Sequence, residues 1–103
     1  MPFKNITPQQ ASAMLKDGAL LIDVRTPAEF AYERINGSVN INVHSPSFKE
    51  DIQALNKSKD YVVYCRTGVR SLFAAKLMSS MGFRASNLKG GIEEWKNQSN
   101  PVI

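Results

Sequence analysis

A second cysteine is missing from this sequence of 103 residues, and so is a second histidine. The single cysteine, Cys65, cannot form an internal disulfide, which suits a reducing compartment, and we expect a cytoplasmic protein. Cys65 and the single histidine, His44, are too few ligands for a zinc site. We therefore predict a protein that holds neither a metal ion nor another cofactor.

Long apolar runs and clusters of basic residues are missing as well. No segment approaches the length of a membrane span, and the opening MPFKNIT lacks the pattern of a signal peptide. The formal net charge is +4, but the lysines are scattered singly along the chain. We predict no contact with membrane or nucleic acid, and we expect the mild positive field to favour small anions.

The sequence also shows no internal repeat, no low-complexity stretch and no linker. An apolar content of 43% is ordinary for a globular protein, and a chain of this length can build one hydrophobic core. We predict one domain spanning residues 1–103. The tail 97–103 contains Pro101 and is expected to be frayed.

Strand patterns and helix patterns alternate along the chain. Short apolar or β-branched runs predict strands at 3–6, 19–24, 38–43, 61–64 and 83–88. The segments between them are predicted to be helical. Such alternation is typical of an α/β sandwich with three layers: a mostly parallel five-stranded sheet with helices on both faces.

Several helices carry signals at their first residues or along one face. Thr7 and Thr26 are each followed by proline and, three residues on, by glutamine or glutamate, which predicts two capping boxes. Phe30 is the expected core anchor of the second helix. A third helix is expected to start at Ser45. The helix after Cys65 has an apolar repeat that predicts a buried stripe of Val69, Leu72, Phe73, Leu77, Met78 and Met81.

The sequence is organised around the stretch 61–71, YVVYCRTGVRS. Cys65 lies where a buried strand ends, and the helical pattern begins at Val69. The N–H groups of such a loop and of the first helical turn have no internal partners and can hold an anion. These donors, with Arg66 and Arg70 nearby, favour a reactive thiolate over the alternative of a small, inert, buried cysteine.

The loop CRTGVR, preceded by VVY and followed by an amphipathic helix, resembles the active-site loop of the rhodanese family of sulfurtransferases. Three other blocks of that family appear in the same order: LLIDVRTPAEF at 20–30, ERINGSVNI at 33–41 and KGGIEEW at 89–95. The resemblance covers nearly the whole chain. Arg34 and Asn36 depart from it, because many relatives carry histidine and proline there.

The resemblance implies the rhodanese fold and a transfer of sulfur. Cys65 would attack the sulfane sulfur of a small anionic donor such as thiosulfate, hold it as a persulfide, and pass it to cyanide or a thiol. A protein could also serve as donor or acceptor. The residues expected to bind the substrate are Arg66, Thr67, Gly68, Val69, Arg70 and Ser71.

Asp23 and Arg25 end the second predicted strand, at the same edge of the sheet as Cys65. They can belong to the anion site, or they can be a pair that fixes the loop through the backbone or neighbours such as Glu29. The resemblance implies support of the loop. We favour this second role.

Two other functions fit a loop of this kind. Cysteine phosphatases related to this fold place five residues between cysteine and arginine, whereas four separate Cys65 from Arg70. The shorter loop suits a sulfur atom better than a phosphoryl group. A persulfide carrier or regulatory module would use Cys65 in the same way as an enzyme, so the loop does not separate these two functions.

Overall fold

The computed structural model describes residues 3–103. Its strands are β1 (Lys4–Ile6), β2 (Leu20–Asp23), β3 (Val39–Asn40), β4 (Asp60–Tyr64) and β5 (Arg84–Leu88). Its helices are α1 (Pro8–Lys16), α2 (Pro27–Tyr32), α3 (Phe48–Gln53), α4 (Val69–Ser80) and α5 (Gly91–Asn97). No helix in this part of the chain is long and apolar enough to cross a membrane.

The five strands form one parallel sheet in the order β1-β5-β4-β2-β3, with β4 at its centre. Asp23 lies opposite Tyr64 in the register of β2 and β4. The residues that follow these two strands therefore leave the sheet at the same carboxyl edge. The predicted α/β architecture is confirmed.

The core lies on both faces of the sheet because side chains along β4 alternate between them. Tyr61 and Val63 belong to one cluster of buried residues, which α3 and α4 cover. Val62 and Tyr64 belong to the other, which α1 and α5 cover. The molecule therefore has the three predicted layers.

Helix α4 begins at Val69, where the helical pattern begins in the sequence. Thr7 and Thr26 each form a complete capping box with proline at the start of the helix. Helix α3 begins at Phe48 instead of at Ser45. Strand β3 is shorter than the predicted 38–43, although the N–H of Ile41 still donates to the carbonyl of Asp23 at 2.9 Å.

The buried face of α4 agrees only in part with the predicted apolar stripe: Met78 is buried, and Leu77 and Met81 pack against the core. Val69 and Phe73 are 73% and 61% exposed, so their prediction as core residues is wrong. The face that packs on the sheet consists of Ser71, Ala74, Ala75, Met78 and Ser79. Small side chains let the helix approach the sheet closely, and the large rings of Tyr61 and Phe83 fill the space beneath it.

Two other packing predictions also differ from the structure. No residue of α2 is buried, and the guanidinium of Arg34 lies 4.8 Å from the half-exposed ring of Phe30. The segment 97–103 is not a frayed tail. Ile103 and Arg34 exchange two backbone hydrogen bonds of 2.8 Å, and the indole of Trp95 donates to the carbonyl of Pro101.

Candidate active site

Cys65 follows the last residue of the central strand, and α4 begins four residues later. The residues 65–71, which we call the sulfur loop, comprise this connection and the first turn of α4. The expected strand, tight loop and helix are therefore all present. This placement puts the thiol beneath the N-terminus of a helix of 12 residues, where backbone N–H groups are unpaired.

Three hydrogen bonds converge on the sulfur of Cys65. The N–H of Gly68 donates to Sγ at 3.2 Å, and the N–H of Ser71 donates at 3.4 Å. The hydroxyl of Ser71 donates at 3.3 Å. All three donors favour a negatively charged sulfur over a neutral thiol.

Burial and hydrogen bonding act on the pKa of Cys65 in opposite directions. Burial of the side chain, which is only 1% exposed, raises the pKa of the thiol. Hydrogen bonds from the Ser71 hydroxyl and from the N–H groups of Ser71, Gly68 and Thr67 lower it, and the net pKa lies below the ordinary value of 9.0. The cysteine is therefore buried, as in the inert alternative, but its surroundings are those of a thiolate.

Two carbonyl groups of the sulfur loop are bound by the first turn of α5. The N–H of Ile92 donates to the carbonyl of Cys65 at 2.9 Å, and the N–H of Glu93 donates to the carbonyl of Arg66 at 3.1 Å. Because the C=O and N–H of a trans peptide point in opposite directions, these bonds turn the loop N–H groups inward. The first turn of α5 thus shapes the site.

Gly91 allows α5 to come this close. Its φ is +61°, and a Cβ at this position would lie 2.5 Å from the carbonyl oxygens of Cys65 and Arg66. The sequence showed Gly90 and Gly91 only as part of the block KGGIEEW at 89–95. The contact with the loop was missed, because the pair of glycines does not reveal which backbone approaches it.

Gly68 has a left-handed backbone conformation, with a φ of +96°. A Cβ there would also lie 3.1 Å from the backbone nitrogen of Gly90. The peptide that follows Gly68 leads into α4. Within residues 3–103, no hydrogen bond uses the N–H of Val69 or of Arg70, so both N–H groups can donate to an incoming anion.

Arg70 is bound by a carboxylate from another helix. Its guanidinium donates to both oxygens of Glu29, at 2.8 and 2.9 Å. These bonds, opposed by partial burial and helped by the N–H of Thr26, lower the pKa of Glu29 to about 2. The sequence indicated Glu29 as a neighbour of Asp23 and Arg25 and missed its pairing with Arg70.

The other predicted binding residues lie at the surface of the loop. Arg66 is exposed, and its guanidinium is 4.0 Å from the carboxylate of Glu93. Thr67 and Val69 are also exposed. The rim of the loop therefore offers one loosely held cation to an approaching anion.

Asp23 and Arg25 form a buried ion pair that supports the neighbouring loop. The guanidinium of Arg25 donates to the carboxylate of Asp23 at 2.6 to 3.0 Å and to the carbonyl of Glu33 at 2.6 Å. Both side chains are at least 95% buried. A role in fixing the loop therefore stays our prediction for this pair.

His44 is exposed, and its backbone N–H donates to the side chain of Asn42. Within residues 3–103, no group of three or more His, Cys, Asp or Glu side chains is placed to hold a metal ion. The reactive group of the site is the buried sulfur of Cys65, which is stabilised as an anion and lies next to unused N–H donors. Such a sulfur is suited to nucleophilic attack.

Comparison with known proteins points to one family. The model of the rhodanese-like domain matches residues 7–98. Thiosulfate sulfurtransferase GlpE of Pseudomonas fluorescens Pf-5 is 38% identical over 96 residues, covering 92% of this chain and 86% of that protein. GlpE of Haemophilus influenzae is 32% identical, covering 99% and 96%. The crystal structure of a rhodanese-related protein from Thermoplasma volcanium has a TM-score of 0.89 at 29% identity and covers 98% of each chain.

Proposed function

The chain belongs to the rhodanese family, and from this premise we propose that it is a sulfurtransferase that moves a sulfane sulfur from thiosulfate to cyanide or a thiol. The observation that carries the proposal is the set of three donors on Sγ of Cys65. These donors lower the pKa of the thiol despite its burial. A thiolate at neutral pH is what the first step needs.

In the first step the thiolate of Cys65 attacks the outer sulfur of thiosulfate. A bond forms between Sγ and that sulfur, and the bond between the two sulfur atoms of thiosulfate breaks. Its electron pair leaves with sulfite. The enzyme is left with a persulfide on Cys65, and splitting the transfer in this way predicts ping-pong kinetics.

In the second step cyanide or a thiolate attacks the outer sulfur of the persulfide. The bond to Sγ breaks, and its electron pair returns to Cys65 as a thiolate. We assign the unused N–H groups of Val69 and Arg70 to the outer sulfur, because neither has a hydrogen-bond partner among the described residues. Thr67, whose N–H lies near Sγ, completes this set of donors.

The two arginines of the loop would have different parts in binding an anionic donor. Arg66 is exposed and held only by a contact of 4.0 Å with Glu93, so it is free to meet thiosulfate at the rim. Arg70 contributes its charge from a fixed position because Glu29 holds it. We assign Asp23 and Arg25 to support of the loop.

The proposal includes one domain and a reducing compartment such as the cytoplasm, in which Cys65 is not oxidised between turnovers. A protein could replace thiosulfate as donor, or cyanide as acceptor. A persulfide carrier would form the same intermediate but would turn over slowly with small molecules and exchange sulfur rapidly with a protein. Turnover with thiosulfate and cyanide separates these two functions.

The decisive experiment is an intact-mass measurement. We expect incubation with thiosulfate to add the mass of one sulfur atom, and cyanide to remove it. Cys65→Ser keeps the size of the side chain and can still accept the bonds from Gly68 and Ser71, so it is expected to fold and to take up no sulfur. Uptake by Cys65→Ser, or none by the natural chain, would refute the mechanism. Hydrolysis of an aryl phosphate without sulfur uptake would favour a phosphatase.

A further inference from the structure

Asn87 is a buried amide at the end of β5, on the same edge of the sheet as the sulfur loop, and it is only 2% exposed. Its Nδ2 donates to the carbonyl of Gly68 at 3.2 Å. The same nitrogen donates to Oδ1 of Asn5, its register partner on β1, at 3.0 Å. A side chain from another strand thus reaches the loop that surrounds the sulfur.

The orientation of this amide is fixed by its neighbours. Both contacts of Nδ2 are oxygen acceptors, so a reversed amide would set Oδ1 of Asn87 against the carbonyl of Gly68. Within residues 3–103, Oδ1 of Asn87 has no hydrogen-bond partner. Burying an unpaired acceptor destabilises the fold. The favourable contribution of the Asn87 side chain at this position therefore comes from the two hydrogen bonds that Nδ2 donates.

The bond to Gly68 acts on the peptide that joins Gly68 to Val69. With the carbonyl held toward β5, the N–H of Val69 points to the opposite side, toward the interior of the loop. The N–H of Leu72 also donates to this carbonyl, at 3.2 Å, as the first bond of α4. Asn87 thus fixes this peptide from outside the sulfur loop and α4. The N–H of Glu93 has the same effect on the peptide after Arg66, because it donates to the carbonyl of Arg66.

We propose that Asn87 is a positioning residue of the sulfur loop: its amide holds the carbonyl of Gly68 outward and so keeps the loop N–H groups directed at Sγ and at a second sulfur bound to it. The part that concerns Sγ depends only on the geometry described above. The part that concerns the second sulfur rests on the proposed function. The two parts call for separate measurements.

The first measurement is the rate at which iodoacetamide alkylates Cys65 as a function of pH, followed by intact mass. The chain has one cysteine, so the signal comes from one site, and no sulfur donor is needed. Asn87→Leu keeps the approximate size of the side chain and removes the donor. We expect its profile to move to higher pH and alkylation near neutral pH to slow by roughly tenfold, because a smaller fraction of the cysteine is then thiolate.

The matched control is Ser86→Ala. Ser86 is the preceding residue of β5 and is also buried, but it lies on the other face of the sheet. Both variants are expected to lower the melting temperature, and only Asn87→Leu is expected to shift the alkylation profile. Equal profiles for Asn87→Leu and Ser86→Ala would overturn the proposal, because Asn87 would then contribute only to stability.

A second variant decides the matter if Asn87→Leu does not fold. Asn5 is exposed, and Asn5→Ala removes the bond that orients the Asn87 amide without opening the core. We expect a shift in the same direction but smaller, about threefold in rate. An unchanged profile for Asn5→Ala would then overturn the proposal.

The second measurement is the rate of sulfur loading from thiosulfate. In Asn87→Leu a smaller fraction of Cys65 is thiolate, and this alone would slow sulfur loading. We expect the measured loading rate to be lower still, because the N–H of Val69 is no longer held toward the outer sulfur. A rate that follows the thiolate fraction alone would refute this part. If the natural chain takes up no sulfur, the proposed function is wrong. The alkylation profiles would still show whether Asn87 positions the N–H groups around Sγ.

Discussion

Arg70 and Glu29 are joined by two hydrogen bonds, at 2.8 and 2.9 Å, although 41 positions separate them in the sequence. The pair connects the first turn of α4 to α2. It also places a carboxylate beside the sulfur loop, so the charge of Arg70 is already balanced before any donor arrives. We therefore expect both stability in acid and affinity for anions to depend on this pair.

The first prediction concerns acid stability. The pKa of Glu29 is about 2 in the folded protein against an ordinary 4.5, so the pair stabilises the fold above about pH 4.5 and this contribution is lost as the pH falls toward about 2. Glu29→Gln cannot form the ion pair with Arg70, so it lacks this stabilisation at every pH. We therefore expect urea denaturation to show a difference between natural chain and variant that is largest at neutral pH and shrinks in acid.

Asp60→Asn is the matched control for this pair. Asp60 accepts a hydrogen bond of 2.7 Å from Arg84, but about half of each side chain is exposed, so water screens the interaction. We expect its effect on unfolding to be smaller at neutral pH. A difference between the natural chain and Glu29→Gln that stays constant from neutral pH to acid would contradict the first prediction.

The second prediction concerns the binding of thiosulfate. Arg70→Ala removes a fixed cation beside Cys65 and leaves the carboxylate of Glu29 unpaired there. We expect KM for thiosulfate to rise roughly tenfold, the equivalent of one hydrogen bond to a charged group. Steady-state kinetics with cyanide as acceptor measure this rise. An unchanged KM would show that Arg70 does not bind thiosulfate and only joins α2 to α4.

Arg66→Ala serves as the comparison. Arg66 is exposed and weakly held, so its attraction for thiosulfate is screened by salt. We expect a rise in KM of about threefold at low salt that disappears at high salt. The effect of Arg70→Ala is expected to persist, because that guanidinium is about three-quarters buried.

The third prediction concerns the pH dependence of the reaction. Ser71→Ala removes the hydroxyl that donates to Sγ of Cys65 at 3.3 Å, and this bond lowers the pKa of the thiol. The thiolate is the reactive form, so activity rises as the pH passes the pKa. We expect the rising limb of kcat/KM to move to higher pH in Ser71→Ala.

Ser79→Ala is a suitable control, because Ser79 is buried on the same helix eight residues away. It is expected to change stability without moving the pH profile. If Ser71→Ala and Ser79→Ala have the same rising limb as the natural chain, the hydroxyl of Ser71 does not act on the thiolate.

The fourth prediction concerns the contact between α5 and the loop. A Cβ on Gly91 would lie 2.5 Å from two loop carbonyl oxygens, so Gly91→Ala must push α5 and the sulfur loop apart. We expect a loss of about 3 kcal/mol or more in the free energy of unfolding, and strongly reduced sulfur uptake. Gly37→Ala has a similar positive φ of +87° but open space around it, so about 1 kcal/mol is expected. Equal losses for the two variants would show that strain alone acts at Gly91.

The sequence predicted the scaffold of the site because the signals for it are local. The run 61–64 predicted the central strand by its β-branched and aromatic residues, and Thr7 and Thr26 predicted helix starts by their own capping partners. Each of these signals acts within a few residues, so it can be found without knowing what packs against it.

Predictions about which side chains face the core were less successful. Val69 and Phe73 are apolar and follow a helical repeat, yet they are exposed, because α4 packs on the sheet mainly through Ser71, Ala74, Ala75, Met78 and Ser79. A helical repeat identifies a face of the helix, but the distance to the neighbouring layer decides which residues fit there. The bonds that hold the tail through Arg34 and Trp95 also come from distant parts of the chain.

The sequence by itself determined the order of strands and helices and the position of Cys65 at the end of the central strand, because these follow from local propensity and periodicity. Only the tertiary structure decided that Glu29 binds Arg70, that Gly91 contacts the loop carbonyls and that Asn87 holds Gly68. These three contacts join residues far apart in the sequence. They exist because a parallel sheet brings the carboxyl ends of its strands to one edge. Segments that are distant in the sequence meet there, and their charges and backbone polar groups must find partners in one another.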